Sequence, residues 1–329
     1  MALFAVIIYV NNLLTTIIGI LANITVLVLA FFVRDRNAND VRMSLAAHAV
    51  TDLTLTIVYT ALQLGVVIQD GSAILLIIGP ITQLVVWISR CLFTIFCFLI
   101  KVNIMLLPIG FLYRYVIICR KDHLMHLFTW RYFVPICVAL VLYSISLEAM
   151  LQPFLHFWKG SIKSGEYKDL GDPILIDIQR GAGPILLAYC VLLCVTAVLS
   201  YALVIFCAQQ TFKMLTAATL SDPTRRLQKE VTTGMILQAV LPLVFNTLPM
   251  VCLLFLIISP IEIDCYGTLL FALLYWQPCV HPLLSLYFVR PFREVIIRRV
   301  IFVKPNNTGT TVVRSEMFKK SYFPSRMHR

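Results

Sequence analysis

Three ionisable residues, Asp52, Lys101 and Glu148, lie inside long apolar stretches of the sequence. At 1.5 Å per helical residue, Lys101 and Glu148 lie about 20 Å and about 25 Å from the basic segments that flank their stretches. Because charged groups are costly and rare inside a bilayer, each is a functional candidate. The similar depths leave three hypotheses for Lys101 and Glu148: a buried ionic latch, contact with a charged ligand, or side chains that reach the headgroups.

Asp52 lies about 15 Å along a helix from the basic Arg42. Its surroundings are predicted to include Asn23 from the first apolar stretch and His281 from the last. Two hypotheses follow for this aspartate. It belongs to a polar network that holds three helices together, or it binds sodium as part of a conformational switch.

Aromatic and proline residues supply weaker candidates. Trp276 lies with other aromatic residues towards one end of the apolar stretches, where it belongs either to an interfacial aromatic belt or to the lining of a ligand pocket. Pro242 and Pro282 each remove a backbone donor from a helix and favour kinks. No Gly-x-Ser-x-Gly, paired-aspartate or His-Glu-x-x-His set occurs, and no Cys/His cluster has zinc spacing. We therefore expect no enzyme activity, no cofactor and no metal.

Seven apolar stretches must position these residues, and each is long enough to cross a hydrocarbon core of about 30 Å. Of the 329 residues, 60% are apolar and 13% are charged, against about 25% charged in soluble proteins. The sequence therefore predicts an all-α membrane protein with a seven-transmembrane helix bundle. The predicted spans are Leu13–Val33, Met43–Ile68, Cys91–Tyr113, Tyr132–Gln152, Pro184–Ala208, Val231–Ile258 and Tyr266–Phe288.

Charge placement predicts the orientation of the bundle. The segments after the first, third, fifth and seventh spans carry 21 of the 27 basic residues. Because basic loops stay on the cytoplasmic side, we expect the N-terminus outside and the C-terminus inside. The net charge of +11 then reflects this asymmetry and attraction to anionic lipid, and nucleic-acid binding is not expected.

The predicted outer segments are short. Gln69–Arg90 is predicted to be a loop that dips partly into the membrane, and Pro153–Gly183 is a longer loop that could cover the mouth of the bundle. Few residues precede the first predicted span, so a ligand must bind within the bundle and its loops. Cys91 and Cys265 lie near the outer side and are predicted either to form a disulfide or to remain free.

The segment after the last span has helical apolar spacing with basic residues on the other side. A basic amphipathic helix of this kind lies in the membrane interface. The segment 291–303 is predicted to be such a surface helix, and the polar residues 304–329 are predicted to be a disordered cytoplasmic tail. The residues assigned to the membrane surface are Phe292, Arg293, Arg298 and Arg299.

The spans together with several short motifs resemble a G-protein-coupled receptor. The third span ends in Tyr113-Arg114-Tyr115, where rhodopsin-like receptors have an acid-Arg-Tyr triplet. Asp52 stands where many relatives place an aspartate in the second span. His281-Pro282 stands near the end of the seventh span in place of Asn-Pro-x-x-Tyr, with Tyr287 two residues late.

A narrower resemblance is to the nematode serpentine chemoreceptors, over about residues 10–300. It lies in Pro108 and Phe111, the run Gln238–Pro242, His281-Pro282 and the closing run Tyr287–Arg293. The delta class is the most similar, with the Str and Srh classes as near alternatives. The resemblance implies a small-molecule ligand, a heterotrimeric G protein as partner and signalling at sensory-neuron cilia, and it leaves a receptor dimer open.

The resemblance and the positions of the residues together predict roles for individual side chains. Ligand contact is assigned to Lys101, Glu148 and Trp276. Coupling and activation are assigned to Arg114, Tyr115, Asp52, Pro242, Pro282 and Tyr287. The alternative class is a small-molecule transporter or a ligand-gated odorant channel; a transporter predicts internal repeats, which this sequence lacks. A retinal photoreceptor is excluded because the seventh predicted span has no lysine.

Overall fold

A computed structural model describes residues 2–32, 39–69, 72–119, 121–160, 173–178, 183–217, 234, 236–237, 240–258, 266–288, 292–293 and 295–296. Within these ranges the helices are α1 (Ala2–Phe32), α2 (Asn39–Leu62), α3 (Val86–Ile118), α4 (Asp122–Met125), α5 (Trp130–Leu151), α6 (Gly183–Ala217), α7 (Leu248–Ile258), α8 (Tyr266–Leu274) and α9 (Gln277–Phe288). The strands are β1 (Leu64–Gln69), β2 (Ser72–Ile77), β3 (Leu155–Lys159) and β4 (Ile174–Ile178).

Six of the described helical segments are long and apolar enough to cross a membrane, and Val240–Leu253 is a shorter apolar helix. These seven segments correspond in order to the seven predicted spans. The last is α8 and α9 together, which are interrupted by a turn at Tyr275 and Trp276. The helical bundle therefore has the number of apolar helices that the sequence predicts.

Several helices extend beyond the predicted spans. Helix α1 begins at Ala2 rather than Leu13, and α3 runs from Val86 to Ile118 where the prediction was Cys91–Tyr113. Hydropathy marks the apolar centre of a helix, whereas the helix itself continues through polar flanking turns. Of the predicted sixth span Val231–Ile258, the first part lies mostly outside the residues that the structure describes.

A four-stranded antiparallel sheet corrects two predictions. Its order is β1-β2-β4-β3, so it joins the segment after α2 to the segment after α5. The second predicted span was too long at its end, because α2 stops at Leu62 and the next residues form β1. Gln69–Arg90 was predicted to be a loop, and it instead contains β2 and the start of α3. The prediction of an all-α fold was therefore incomplete.

The local sequence explains the hairpin of β1 and β2. The β1 segment is rich in Val and Ile, which pack well on a pleated surface. The paired strands leave only Asp70-Gly71 between Gln69 and Ser72, and Asp-Gly is a residue pair typical of two-residue hairpin turns.

The sheet packs onto one end of the bundle, which we call the sheet end. Leu64, Val66 and Ile176 share one buried hydrophobic cluster with Phe93 of α3 and Leu270 of α8. Helix α8 comes so close that a Cβ atom on Gly267 would lie 2.5 Å from the Cβ of Val66. The Leu64 backbone N–H also donates a hydrogen bond of 2.6 Å to the Tyr275 hydroxyl. The sheet is thus part of the core of the molecule.

The outer surface of the helices is apolar. On α6, Leu187, Val191, Val198 and Leu199 expose more than half of their surface. Exposed apolar patches of this extent mark surfaces that contact another apolar phase, and the bilayer supplies that phase for a helix of this length.

The sixth helical segment contains a π-helical turn at Leu243–Thr247, directly after Pro242. Proline has no backbone N–H and its ring crowds the preceding turn, so the regular hydrogen-bond ladder is interrupted there. Short π segments of this kind are frequent at functional sites. The turn places Asn246, which is 1% exposed, inside the bundle.

The chain divides into two compact units, Met1–Phe292 and Arg293–Arg329. In the second unit the described residues are Arg293, Val295 and Ile296, and all have helical backbone. Arg298 and Arg299 lie outside the described residues, as does the tail 304–329. The amphipathic surface helix over 291–303 therefore stays a prediction.

Candidate functional site

The two ionisable residues of α3 and α5 form a buried ion pair. The Lys101 ammonium donates to Glu148 Oε1, and the two residues are 3% and 5% exposed. Lys101 Nζ also lies 5.5 Å from the centre of the Tyr189 ring on α6. The pair therefore links α3 and α5 and lies against α6. Lys101 is held inside the bundle.

One carboxylate oxygen of Glu148 makes no hydrogen bond. Its Oε2 atom is buried and has no hydrogen-bond partner. The pair lies among apolar neighbours that include Ile100 and Ile104, where charges interact more strongly than in water. A ligand that offers a donor to Oε2, or an acceptor to the ammonium, would alter this pair.

Asp52 is the centre of a second polar site and is 1% exposed. Its Oδ1 accepts a hydrogen bond of 3.0 Å from the amide of Asn103 on α3, and its Oδ2 lies 3.3 Å from His281 Nδ1 on α9. Sequence reasoning anticipated His281 as a neighbour and missed Asn103. A single asparagine in an apolar helix does not stand out in the sequence. Only its position on the same helix as Lys101 could have suggested that Asn103 contacts Asp52.

Asn23 makes a different contact from the one expected. Its side-chain amide donates to the carbonyl oxygens of Gly19, at 2.8 Å, and of Pro278, at 2.9 Å. It therefore joins α1 to α9 through backbone atoms, and no described hydrogen bond joins it to Asp52. The polar sites together connect α1, α2, α3 and α9.

Trp276 lies at the turn between α8 and α9. Its indole N–H donates a hydrogen bond of 3.0 Å to Asn11 Oδ1 of α1. Sequence reasoning did not single out Asn11. The polar end of this tryptophan is thus satisfied within the protein, and ligand contact by Trp276 stays a prediction.

Arg114 and Tyr115 lie near the C-terminal end of α3, at the end opposite the sheet. Tyr115 is 8% exposed, and its ring centre lies 6.1 Å from that of Phe206 on α6. Tyr113, which replaces the acid of the rhodopsin-like triplet, packs at 4.9 Å against Phe128. Arg114 is half-buried. Tyrosine at position 113 therefore contributes packing where an acid would contribute charge.

Pro282 and Tyr287, the last residues assigned to activation, lie on different sides of α9. Pro282 is buried within α9, whereas Tyr287 is 63% exposed and contacts the neighbouring Phe288 edge-to-face. The buried position two residues earlier is Ser285, which donates to the His281 carbonyl oxygen at 3.0 Å. A shift of two residues turns a helix by about 200°, which explains why Tyr287 faces outwards.

Two small cavities adjoin these polar sites. One of about 10 Å³ lies between α1, α2 and the α8–α9 turn, and its lining includes Asn12, Thr56 and Tyr59. Another of about 10 Å³ lies between Pro242 and Phe245 on one side and Gln277 and His281 on the other. Each has about the room of one water molecule, so neither has space for a larger organic molecule in this conformation.

Metal ligands and disulfides can be judged only for the part of the chain that the structure describes. No group of three His, Cys, Asp or Glu side chains there could hold a metal ion. Cys91 is a free thiol, and Cys265 lies outside the described ranges. A Cys91–Cys265 disulfide therefore stays a prediction.

Residues 8–298 match the family described as serpentine type 7TM GPCR chemoreceptor Srd. The chain belongs to the Srd family. A search of curated proteins found no match. The resemblance to the delta class is thus confirmed over most of the chain, and the seven apolar helices are those of a seven-transmembrane chemoreceptor. The protein is therefore a membrane protein of a receptor family.

Proposed function

We propose that this Srd protein is a chemosensory receptor that binds a small molecule from the extracellular side and activates a heterotrimeric G protein. The observation that carries the proposal is the buried Lys101–Glu148 pair between α3 and α5, within a chain of the Srd family. Family membership supports the receptor class, and the buried charges supply a place where a ligand can act.

The proposed orientation has the sheet end outside the cell. The sheet joins the segments after α2 and α5, and Arg114 lies towards the other end of α3. In the sequence, most basic residues follow the first, third, fifth and seventh spans. Basic loops are retained on the cytoplasmic side, so the N-terminus is outside and the C-terminus inside.

The ligand is proposed to bind beneath the sheet, between the third, fifth, sixth and seventh spans and close to the Lys101–Glu148 pair. Bundle interiors are usual places for apolar pockets with a few polar groups. An anionic or carbonyl-bearing ligand would compete with Glu148 for the Lys101 ammonium. A ligand with a hydrogen-bond donor would instead meet the open Oε2 atom of Glu148.

The transducer is proposed to contact the opposite end, with Arg114 and Tyr115 as its central residues. Tyr115 packs on α6, so a shift of α6 relative to α3 would change the position of Arg114. Pro242 and the π-turn interrupt the regular helix of the sixth segment, and we propose that this segment bends there. Asp52, Pro282 and Tyr287 are proposed to support the same change.

The proposed cellular setting is the plasma membrane of sensory-neuron cilia, with the lipid bilayer as solvent for the exposed apolar faces. A receptor dimer is compatible with these faces. Olfactory signalling is the proposed biological role, because the family is one of chemoreceptors.

A ligand screen with a G-protein readout tests the proposal. The full chain is expressed with a G-protein biosensor and exposed to a library of small odorants and acids. We expect at least one compound to give a saturable response that Arg114→Ala abolishes at matched surface level. A saturable response that persists without any G protein, as an ion current, would instead favour the ligand-gated channel.

A further inference from the structure

His281 faces two other elements of the bundle, α2 and the sixth segment. Its Nδ1 atom lies 3.3 Å from Asp52 Oδ2 on α2, and its ring centre lies 4.7 Å from that of His48 at a tilt of 40°. The same residue lines the small cavity beside Pro242 and Phe245 of the sixth segment. A change in the charge of His281 would therefore act on α2 and at the π-turn together.

Two polar atoms near Asp52 have no hydrogen-bond partner and could accept a proton. Asp52 Oδ1 has its partner in Asn103, whereas Asp52 Oδ2 and His48 Nδ1 are buried without a hydrogen bond. A buried carboxylate is costly unless a positive charge or a proton accompanies it. A protonated imidazole at His281 supplies that charge, and histidine is the side chain that gains or loses a proton near neutral pH.

The surroundings contain few other charges. In the described part of the chain, the titratable groups at this cluster are Asp52, His48 and Tyr59 of α2, Arg114 of α3 and Cys279 of α9. The residue that α3 places against the carboxylate, Asn103, is neutral, and so is Asn23 of α1. Pro242 and Phe245, which face His281 from the sixth segment, cannot titrate. Asp52 is therefore the anion that faces His281 in this cluster.

A polar route leads from the sheet end towards this cluster. The cavity between α1 and α2 is lined by Tyr59, whose hydroxyl is buried without a partner, and by the hydroxyls of Thr16, Thr56 and Thr60. Thr56 donates to the Asp52 backbone oxygen at 2.8 Å. One helical turn thus separates this cavity, which has about the room of one water, from the aspartate.

We propose that Asp52, His281 and His48 form a proton-binding site that couples pH to the conformation of the bundle. With a proton on His281, the Asp52–His281 ion pair holds α9 against α2. Without it, the carboxylate loses its counter-charge and the contact with the neutral ring is weaker, so α9 is held less firmly next to the π-turn. The site goes beyond ligand recognition, and it needs neither a ligand nor a G protein.

The test uses the full chain in lipid nanodiscs and the pH dependence of its unfolding temperature between about pH 5 and about pH 8. The ion pair exists only with His281 protonated, so its stabilisation is present at the acidic end and lost at the alkaline end. We expect wild type to exceed His281→Gln by about 2–4 °C at the acidic end and by little at the alkaline end. His156→Gln, at an exposed histidine of β3, is the control and should follow wild type.

Two further variants keep the test decisive if His281→Gln does not fold. Asp52→Asn keeps both rings and removes the anion, and His48→Gln removes the second ring. We expect Asp52→Asn to lose the acid-dependent stabilisation and His48→Gln to alter the midpoint of the profile. A pH-independent wild type, or cluster variants whose profiles run parallel to the wild-type profile, would overturn the proposal. Because no signalling is measured, this outcome is separate from failure of the proposed receptor function.

Discussion

At the scale of single residues, Lys101 and Glu148 offer a direct separation of structural and ligand roles. Lys101→Met keeps the bulk of the side chain and leaves Glu148 buried without its partner. Breaking a buried pair in this way costs about 3–5 kcal/mol, so we expect surface expression of the single variant to collapse. The double variant with Glu148→Gln removes both charges and should restore expression, as measured by surface labelling and unfolding temperature.

The same pair then reports on the ligand. If the restored double variant responds to an identified ligand with unchanged potency, the pair is only structural. A fall in potency of the double variant at normal expression supports ligand contact. Normal expression and unchanged potency of Lys101→Met alone would contradict both roles, because a buried and paired lysine cannot be removed without effect.

Arg114 is expected to act at the transducer end. Arg114→Ala should abolish most G-protein activation. Surface expression should stay near wild type, because Arg114 is half-buried and does not belong to the main hydrophobic core. Arg131, at the start of α5, is an exposed arginine, and Arg131→Ala is the matched control. Equal signalling by wild type and Arg114→Ala at the same surface density would refute the assignment.

At the scale of elements, the docking of the sheet onto α8 makes a sharp prediction. Gly267→Ala places a Cβ atom 2.5 Å from the Cβ of Val66, where backbone or strand must shift. Overpacking of this kind costs about 1–3 kcal/mol, so the unfolding temperature should fall by several degrees. Gly183→Ala is the control, since no atom lies within 4 Å of the added Cβ. A Gly267→Ala protein as stable as the control would show that the sheet is not firmly packed there.

The sheet also shows where sequence reasoning stops. Long apolar runs predicted every membrane-length helix, because few other structures bury so many apolar residues in succession. The run Leu64–Ile68 was assigned to the second span because a short apolar run fits a strand and a helix end equally well. Its pairing with β2 is local, whereas the pairing of β2 with β4 joins segments about a hundred residues apart, which no local pattern reveals.

The polar sites were predictable only in part, for a related reason. Ionisable residues stand out in an apolar stretch, so Asp52, Lys101 and Glu148 were found from their type and depth alone. Neutral partners such as Asn103 and Asn11 do not stand out, and their roles follow from the way in which neighbouring helices face each other. The inward position of Ser285 in place of Tyr287 likewise depends on helix rotation.

At the scale of the whole molecule, the asymmetry of charge predicts the topology. With 21 of the 27 basic residues on one side, the loops at the Arg114 end should remain in the cytoplasm. An epitope tag at the N-terminus should therefore be stained on intact cells, and a tag at the C-terminus should be stained only after permeabilisation. Staining both tags after permeabilisation controls for expression. A C-terminal tag that is stained on intact cells would place Arg114 outside the cell, away from any G protein, and would favour the ligand-gated channel instead.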